Sequence, residues 1–428
     1  MVLVAPVQVV LAVLLLRKPA VAGQVDGYWT GATAVAMWAL IVVAPLGAAC
    51  AAWEAGRIRQ AGWAGWTPAR GGLHVAARAL GPVLAGGLSA LVAALLTVRW
   101  EMGAAPGGPD PLILGAAVLV LIGQLAVGYA VGLLVRPVVA VPVVLVADYL
   151  WNVYPPAGDP LWLRLLPGPV RDCCDSGSVP LPGAVAAPAL LALGLLAVAG
   201  AVVVHRWHPA RSGPPGLPGL PRLSGPALGM VVAPLLLAAA AAGSVGLVRD
   251  LGLDPYRARS AAELVCRQEP GGPEVCVWPE HAGRLPTASA ALAGASARLA
   301  AAGVPVPKVI TEADPGGGAD RWQVFLRVDP AFGAQQMVLS VVASPAGQAR
   351  ERAEADPAAP VCDRSPEGRA LPERLRAWLA VTAGVDRAAA VANHGPELES
   401  WLAAQLTLPS AEQLRWYREA SAAVGCRR

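Results

Sequence analysis

The chain has 428 residues, 55% of them hydrophobic, with a mean hydropathy of +0.52 and a formal net charge of +4. That balance excludes a wholly soluble protein, and the scattered basic residues exclude a nucleic-acid binder, which needs a clustered basic face. Residues 1–248 hold 13 Lys+Arg and 8 Asp+Glu, whereas residues 249–428 hold 20 and 21. The first part thus has the sparse charge of a membrane protein and the second the ordinary charge of a soluble domain. The chain divides into a transmembrane domain, 1–248, and a soluble domain, 249–428. Lysine occurs only at Lys18 and Lys308, amid abundant Ala, Gly, Pro and Arg. This points to a GC-rich bacterial genome and not to a function.

A bilayer-crossing helix needs about 20 apolar residues. Taken in order, the apolar runs are Val2–Leu16, Trp29–Trp53, Leu73–Val98, Pro111–Val135, Pro137–Trp151, Pro182–Val204 and Pro226–Val248. The expectation is an all-α polytopic bundle of about seven spans. The first and fifth runs are short for a hydrocarbon core of roughly 30 Å, so six is the alternative count.

Basic residues collect on the cytoplasmic side of membrane proteins. An inside N-terminus puts Arg57, Arg59, Arg70, Arg136, Arg206, Arg211 and Arg222 inside, against Arg17, Lys18, Arg99, Arg164 and Arg171 outside. Of seven cysteines, Cys50 lies in a span. Cys173, Cys174, Cys266, Cys276, Cys362 and Cys426 all fall on the outer side, where disulfides persist. The expected location is the bacterial cell membrane, with a cytoplasmic N-terminus and an extracytoplasmic C-terminal domain. The charges follow the first apolar run and no small-residue cleavage site is evident, so that run does not read as a signal peptide.

The segment WEAGRIRQAGWAGWTPARGG, 53–72, is the first cytoplasmic loop. Glu54 to Gln60 should continue the second span as a helix, which Gly62, Gly65 and Pro68 then end. Trp63 and Trp66 suit the headgroup layer. On residues alone the loop is a basic anchor that sets topology. A span ending in WEAGRIRQAGW and re-entering through TPARGGLHVAARALGPVLAG also resembles the first cytoplasmic loop of type-2 ABC exporter permeases. The overall layout, with a Cys276-Val277-Trp278-Pro279-Glu280-His281 step, resembles actinobacterial permease-like proteins with a C-terminal extracytoplasmic domain. The resemblance implies that Glu54, Arg57, Arg59, Pro68 and Arg70 dock a separate ABC ATPase subunit, and that the protein forms a homo- or heterodimer in contact with membrane lipid. The chain has no G-x-x-x-x-G-K-[ST] loop, so another chain would hydrolyse ATP.

Within the spans the polar residues Gln8, Gln124, Asp148 and Asn152 stand out. A buried ionisable group in a membrane is by default a site. Asp148 is expected near the outer interface, beside Tyr149, Trp151 and Tyr154. In the outer loop 152–181, Leu161–Leu166 reads as a short surface helix anchored by Trp162. Cys173 and Cys174 are open to pairing elsewhere or with each other.

Residues 249–428 read as an α+β domain, large enough for its own core. Strand-like runs lie at Glu263–Cys266, Glu274–Trp278, Lys308–Thr311 and Arg321–Val328. Helical patterns lie at Thr287–Ala302, Leu371–Ala383, Pro396–Leu406 and Ser410–Val424. Ser410 and Gln413 form a sequence-level capping box. Gly316-Gly317-Gly318 reads as a turn. Cys266 and Cys276 flank E-P-G-G-P, which makes a local bridge natural and leaves Cys362 and Cys426 to clamp the terminal helices. Such a loop closure is worth on the order of 4 kcal/mol. Four cysteines still allow three pairings.

No HExxH, GxSxG or cysteine-nucleophile signature is present, and no cysteine spacing fits zinc. Glu280 and His281 read as surface polarity. His394 is the other histidine of this domain, and His205 and His208 lack further ligands. No enzyme, cofactor or metal is expected. The function expected is an exporter permease-like subunit whose outer domain binds substrate or partner. The alternative is a non-transporting, membrane-anchored binding or immunity protein.

Overall fold

The structure, a computed structural model, describes residues 4–17, 27–62, 71–103, 105–168, 173–207, 225–252, 255–314, 320–327, 332–355, 360–363, 365–392 and 394–426. It forms two compact units, Met1–Arg257 and Ala258–Arg428.

The first unit is a helical bundle. Its elements are α1 (Val4–Leu16), α2 (Trp29–Ala36), α3 (Leu40–Gln60), α4 (Gly72–Met102), α5 (Pro111–Leu134), α6 (Pro137–Ala157), α7 (Pro182–Trp207) and α8 (Gly225–Val248). A 3-10 turn, Met37–Ala39, joins α2 to α3, so Trp29–Gln60 acts as one span. Among the described residues six helices are thus long and apolar enough to cross a membrane, and the protein is a multi-pass membrane protein. The fifth apolar run is longer than its sequence pattern indicated. Pro155 and Pro156 sit in its last turn, and α6 runs on to Ala157 for 21 residues. The first run gives only 13 described helical residues, about 20 Å long, short of a membrane crossing. It packs on α4 and α3 instead.

Alternation of the spans is visible in their end contacts. At one end Thr30 Oγ1 meets Asp110 Oδ2 at 3.4 Å, and the Leu181 N–H donates to the Pro255 carbonyl. Trp29 covers Gly107, and Leu247 covers Gly183. At the other end Arg59 Nη1 donates to the Leu133 carbonyl, Pro137 covers Gly56, and Trp207 covers Gly72. Local chemistry fixes several starts. Pro111 opens α5, where its missing N–H costs nothing, and Asp110 Oδ1 accepts from the Leu112 and Ile113 amides.

Lipid tails offer no hydrophobic drive between helices, so close packing through small residues holds such bundles. The α3–α5 pair shows this. Ala48 and Ala52 on α3 face Gly128 and Gly132 on α5. A Cβ on either glycine would run into the carbonyl oxygen of the facing alanine. The main core of the unit, around Met37, Leu40, Val43, Leu91, Ile113, Leu121 and Leu125, sits between α3, α4 and α5.

The second unit is α+β. Its sheet has the order β1 (Val265–Gln268), β2 (Glu274–Val277), β3 (Val309–Thr311), β4 (Arg321–Gln323). β1 and β2 form an antiparallel hairpin in which Cys266 faces Cys276, and Gly271 (φ +74°) supplies the turn. β2, β3 and β4 are mutually parallel. A parallel neighbour requires a crossover, and α9 (Leu285–Ala301) provides it between β2 and β3. Then follow α10 (Ala334–Val342), α11 (Ser344–Ala355), α12 (Pro366–Thr382), α13 (Arg387–Val391), α14 (Pro396–Thr407) and α15 (Ser410–Val424). Leu292, Leu299, Ile310, Met337, Trp378 and Leu402 lie in a single core. The free edge of β4 is covered: Ser344 Oγ accepts from the Gln323 amide at 2.7 Å, and Gln348 Nε2 donates to the Arg321 carbonyl at 2.8 Å.

The short helix expected in the outer loop is present as a 3-10 turn, Leu161–Leu165, with Trp162 and Leu163 packed on the bundle core beside the buried Leu165 and Leu166. One local expectation is corrected. Ser410 is the first residue of α15 and caps nothing. Gln413 instead accepts from Trp378 Nε1 at 2.9 Å and donates to the Leu408 carbonyl at 2.8 Å. Helices α10 and α11 had no counterpart in the pattern. The glycine run 316–318 lies outside the described residues.

Candidate functional site

The charged end of α3 comes first. Helix α3 continues through Gln60, with Glu54 and Arg57 one turn apart and paired at 3.0 Å. The Glu54 side chain is 13% exposed and that of Arg57 63%. Arg59 is committed to the Leu133 carbonyl at the C-terminus of α5, where a cation complements the helix dipole. Arg57 is therefore the charge that this end presents outward. Pro68, Arg70, Trp63 and Trp66 lie outside the described residues.

The intramembrane polar residues do not converge. Gln8 Nε2 donates to the Val43 carbonyl at 2.9 Å, tying α1 to α3. Gln124 is buried in α5 with neither amide atom hydrogen-bonded. Asp148 lies near the middle of α6, about 17 Å from Pro137 and about 14 Å from Ala157 along the helix axis. The helix runs on past Trp151 to Ala157, so Asp148 is not at its end. Its Oδ2 is sealed from solvent and has no hydrogen-bond partner. Asn152, one turn on and fully buried, donates to the Asp148 backbone carbonyl at 2.9 Å.

In the second unit the Cys276–His281 step is a buried polar cluster, which corrects its reading as surface polarity. The chain leaves β2 at Trp278 and enters a 3-10 turn, Pro279–Arg284, that folds His281 back inside. His281 is 0% exposed. Its Nδ1 lies 2.7 Å and 3.0 Å from the two carboxylate oxygens of Glu312, whose side chain is 2% exposed. Glu312 directly follows β3. It also accepts from the Trp278 amide at 2.8 Å and the Leu326 amide at 3.2 Å. One carboxylate thus gathers the ends of β2, β3 and the chain beyond β4. Around it, Arg259 makes a two-pronged contact with Glu280 at 3.0 Å and 3.1 Å. It also binds Glu263 at 2.7 Å and lies over the Trp278 ring at 4.7 Å. His281 is closed to solvent, and the carboxylate it meets ties the strand ends together. Glu312 and Arg259 carry no local motif. Only the return of a parallel strand beside β2 brings Glu312 to His281.

Cys266 is bonded to Cys276 and Cys362 to Cys426, with Cα atoms 4.0 Å and 4.9 Å apart. The sulfurs of Cys173 and Cys174 lie within bonding distance of each other. Cys50 is free. The grouping of Cys266, Glu274 and Cys276 is no metal site, since both sulfurs are already bonded. The Cys362–Cys426 bridge lines a cleft of about 940 Å³, floored by Ala346, Gly347 and Val424 and rimmed by Asp363, Arg369 and Arg376. Hydrogen bonds from the Ser365 hydroxyl and amide hold the Asp363 carboxyl below its usual range. His394 is tied between Glu373 at 3.5 Å and Arg376 at 3.4 Å. His205 is exposed, and His208 lies outside the described residues.

Residues 275–426 match a family model described as a domain of unknown function, DUF7224. The match spans most of the second unit and none of the membrane helices. No curated protein and no solved structure matches the chain.

Proposed function

We propose that this multi-pass protein is the membrane-spanning subunit of an exporter-like complex driven by a separate ATPase. In this reading the elbow 53–72 docks that ATPase, and the disulfide-bonded C-terminal domain is an extracytoplasmic module for substrate or partner. The carrying observation is that α3 stays helical past its contact with Pro137 and there presents Arg57 outward, beside Glu54. Absence of a P-loop from the sequence fits a division of labour between two chains. Six alternate crossings from Trp29 to Val248 put the start of α2 and the exit of α8 on one side. The two disulfides of the C-terminal unit favour the oxidising side for that exit. The docking role of Glu54, Arg57, Arg59, Pro68 and Arg70, the dimer and the absence of catalysis all belong to this proposal.

The test is the double exchange Glu54→Arg with Arg57→Glu. It preserves net charge and the intrahelical pair while placing each sign before the wrong partner, where like charges cost several kcal/mol. Membrane insertion should persist and co-purification of an ATPase in mild detergent should vanish. Binding at wild-type strength by the exchanged protein, or no ATPase with the wild type, would sink the proposal. The second outcome favours a non-transporting binding module, for which the cleft beside Cys362–Cys426 is the supporting feature.

A further inference from the structure

Helices α5 and α7 start side by side at the end of the bundle marked by Asp110 and run in the same direction. Deeper in, they touch: a Cβ on Gly123 would lie 3.1 Å from the Ala192 Cβ, and Ala126, Ala130 and Ala199 continue the contact. Above Gly123 the two helices part. A crevice of about 470 Å³ opens between them, walled by Leu112, Gly115 and Leu119 on α5 and by Val185, Ala186 and Ala189 on α7. The buried Ile113 and Ala116 form its floor. Gly115 and Ala186 are exposed, and a Cβ added at Gly115 would meet nothing within 4 Å, so the crevice opens on the outside of the bundle.

Its place says what fills it. Both walls belong to membrane-length helices, so the open side faces hydrocarbon and not water. From Asp110 to Leu119 the crevice runs about 14 Å along α5, close to one leaflet's share of a hydrocarbon core roughly 30 Å thick. Asp110 stands at the mouth, and every other lining residue is apolar. The Asp110 carboxylate is engaged within the protein: Oδ1 accepts from the Leu112 and Ile113 amides, and Oδ2 lies 3.4 Å from Thr30 Oγ1. The crevice therefore offers shape and apolar surface along its length. Left empty, its lining would forfeit dispersion contacts on one side, and a flexible hydrocarbon chain restores them.

We infer that this crevice seats one acyl chain of a membrane phospholipid, with the headgroup end of the lipid at Asp110. The inference stands apart from the exporter reading. The test reconstitutes the full-length chain into vesicles of phosphatidylethanolamine and phosphatidylglycerol that hold a trace of phosphatidylethanolamine with a diazirine in one acyl chain. The protein is then taken up in mild detergent, washed free of loosely held lipid, irradiated and mapped by peptide mass spectrometry. Label should concentrate on residues 112–119 and 185–189, above the level on the exposed face of α6 at Val138, Val143 and Val146. Gly115→Leu should cut the crevice label by at least about fivefold, since a filled site admits a chain only by overpacking, and Ala186→Leu should do the same from the opposite wall. The label on α6 should not change. Even labelling of both regions in the wild type overturns the inference, and so does a smaller loss in both filled variants. Aggregation of both filled variants would mean that protein and not lipid occupies the crevice, and would overturn it too.

Discussion

Glu312→Ala should loosen the C-terminal unit more than any other single change in the sheet. The substitution leaves the Trp278 amide, the Leu326 amide and His281 Nδ1 without their acceptor in a region closed to water. Breaking a buried pair by removing one partner costs about 3–5 kcal/mol. Each orphaned neutral donor alone accounts for about 1–3 kcal/mol, so the two scales agree. Protection against amide hydrogen exchange converts that loss at about 1.4 kcal/mol per decade. Peptides covering residues 274–281 and 320–327 should therefore exchange roughly 10²- to 4 × 10³-fold faster in the full-length variant, provided they now exchange by opening of this unit. The bundle helices serve as an internal control. Glu312→Gln keeps one acceptor oxygen but turns an amide NH₂ toward two donors, and should fall between wild type and Glu312→Ala. His281→Phe combined with Glu312→Ala should cost less than the two single changes added together, since the pair is in direct contact. If Glu312→Ala leaves protection of 274–281 within threefold of wild type, the carboxylate is no tie between strands and the reasoning is wrong.

Gly128→Leu in α5 should prevent correct packing against Ala48, seen as aggregation or loss of a monodisperse peak in detergent, whereas Gly115→Leu, with open space around it, should be tolerated. Non-reducing peptide mapping should return Cys266–Cys276 and Cys362–Cys426 as linked peptides, and Cys362→Ser with Cys426→Ser should lower stability by on the order of 4 kcal/mol. A reporter fused after Arg428 should be active only in an extracytoplasmic format; a signal confined to the cytosol would reverse the proposed orientation. Ser365→Ala should return the Asp363 carboxyl toward its ordinary, higher titration range, read by carboxyl-carbon NMR. The sign follows from a depressed folded-state value: any stabilisation it lends is present above the ordinary carboxylate range and lost as pH falls through the lowered one.

The bundle was legible because hydropathy is local: each run of apolar residues announces its own helix. Two points escaped: the first run, which gives too short a helix to count as a span, and the end of α6, where Asn152 and two prolines dilute the run while the backbone stays helical. The hairpin was legible from E-P-G-G-P between two cysteines. Helices α10 and α11 were not, because AQQMVLSVV is short and β-branched and SPAGQARERAEA is polar throughout. His281 was misread for a different reason. Its burial depends on Glu312, 31 residues away, and no spacing in the chain links a histidine after one strand to a carboxylate after the next. The arginine that flanks this pair, Arg259, precedes the first strand of the sheet and is equally silent in sequence.

The contact of Gly128 and Gly132 with the backbone of Ala48 and Ala52 has a mechanical consequence. Two helices held carbonyl to Cα have no side-chain layer in which to slide or roll, so α3 and α5 form a stator. The burial of the spans agrees: 72% of the α2–α3 span is enclosed by protein, against 22% each for α6 and α8. The least enclosed spans, α6 and α8, lie outside that pair. Asp148 lies on one of those two spans, and the chain leading to the C-terminal unit leaves from the other.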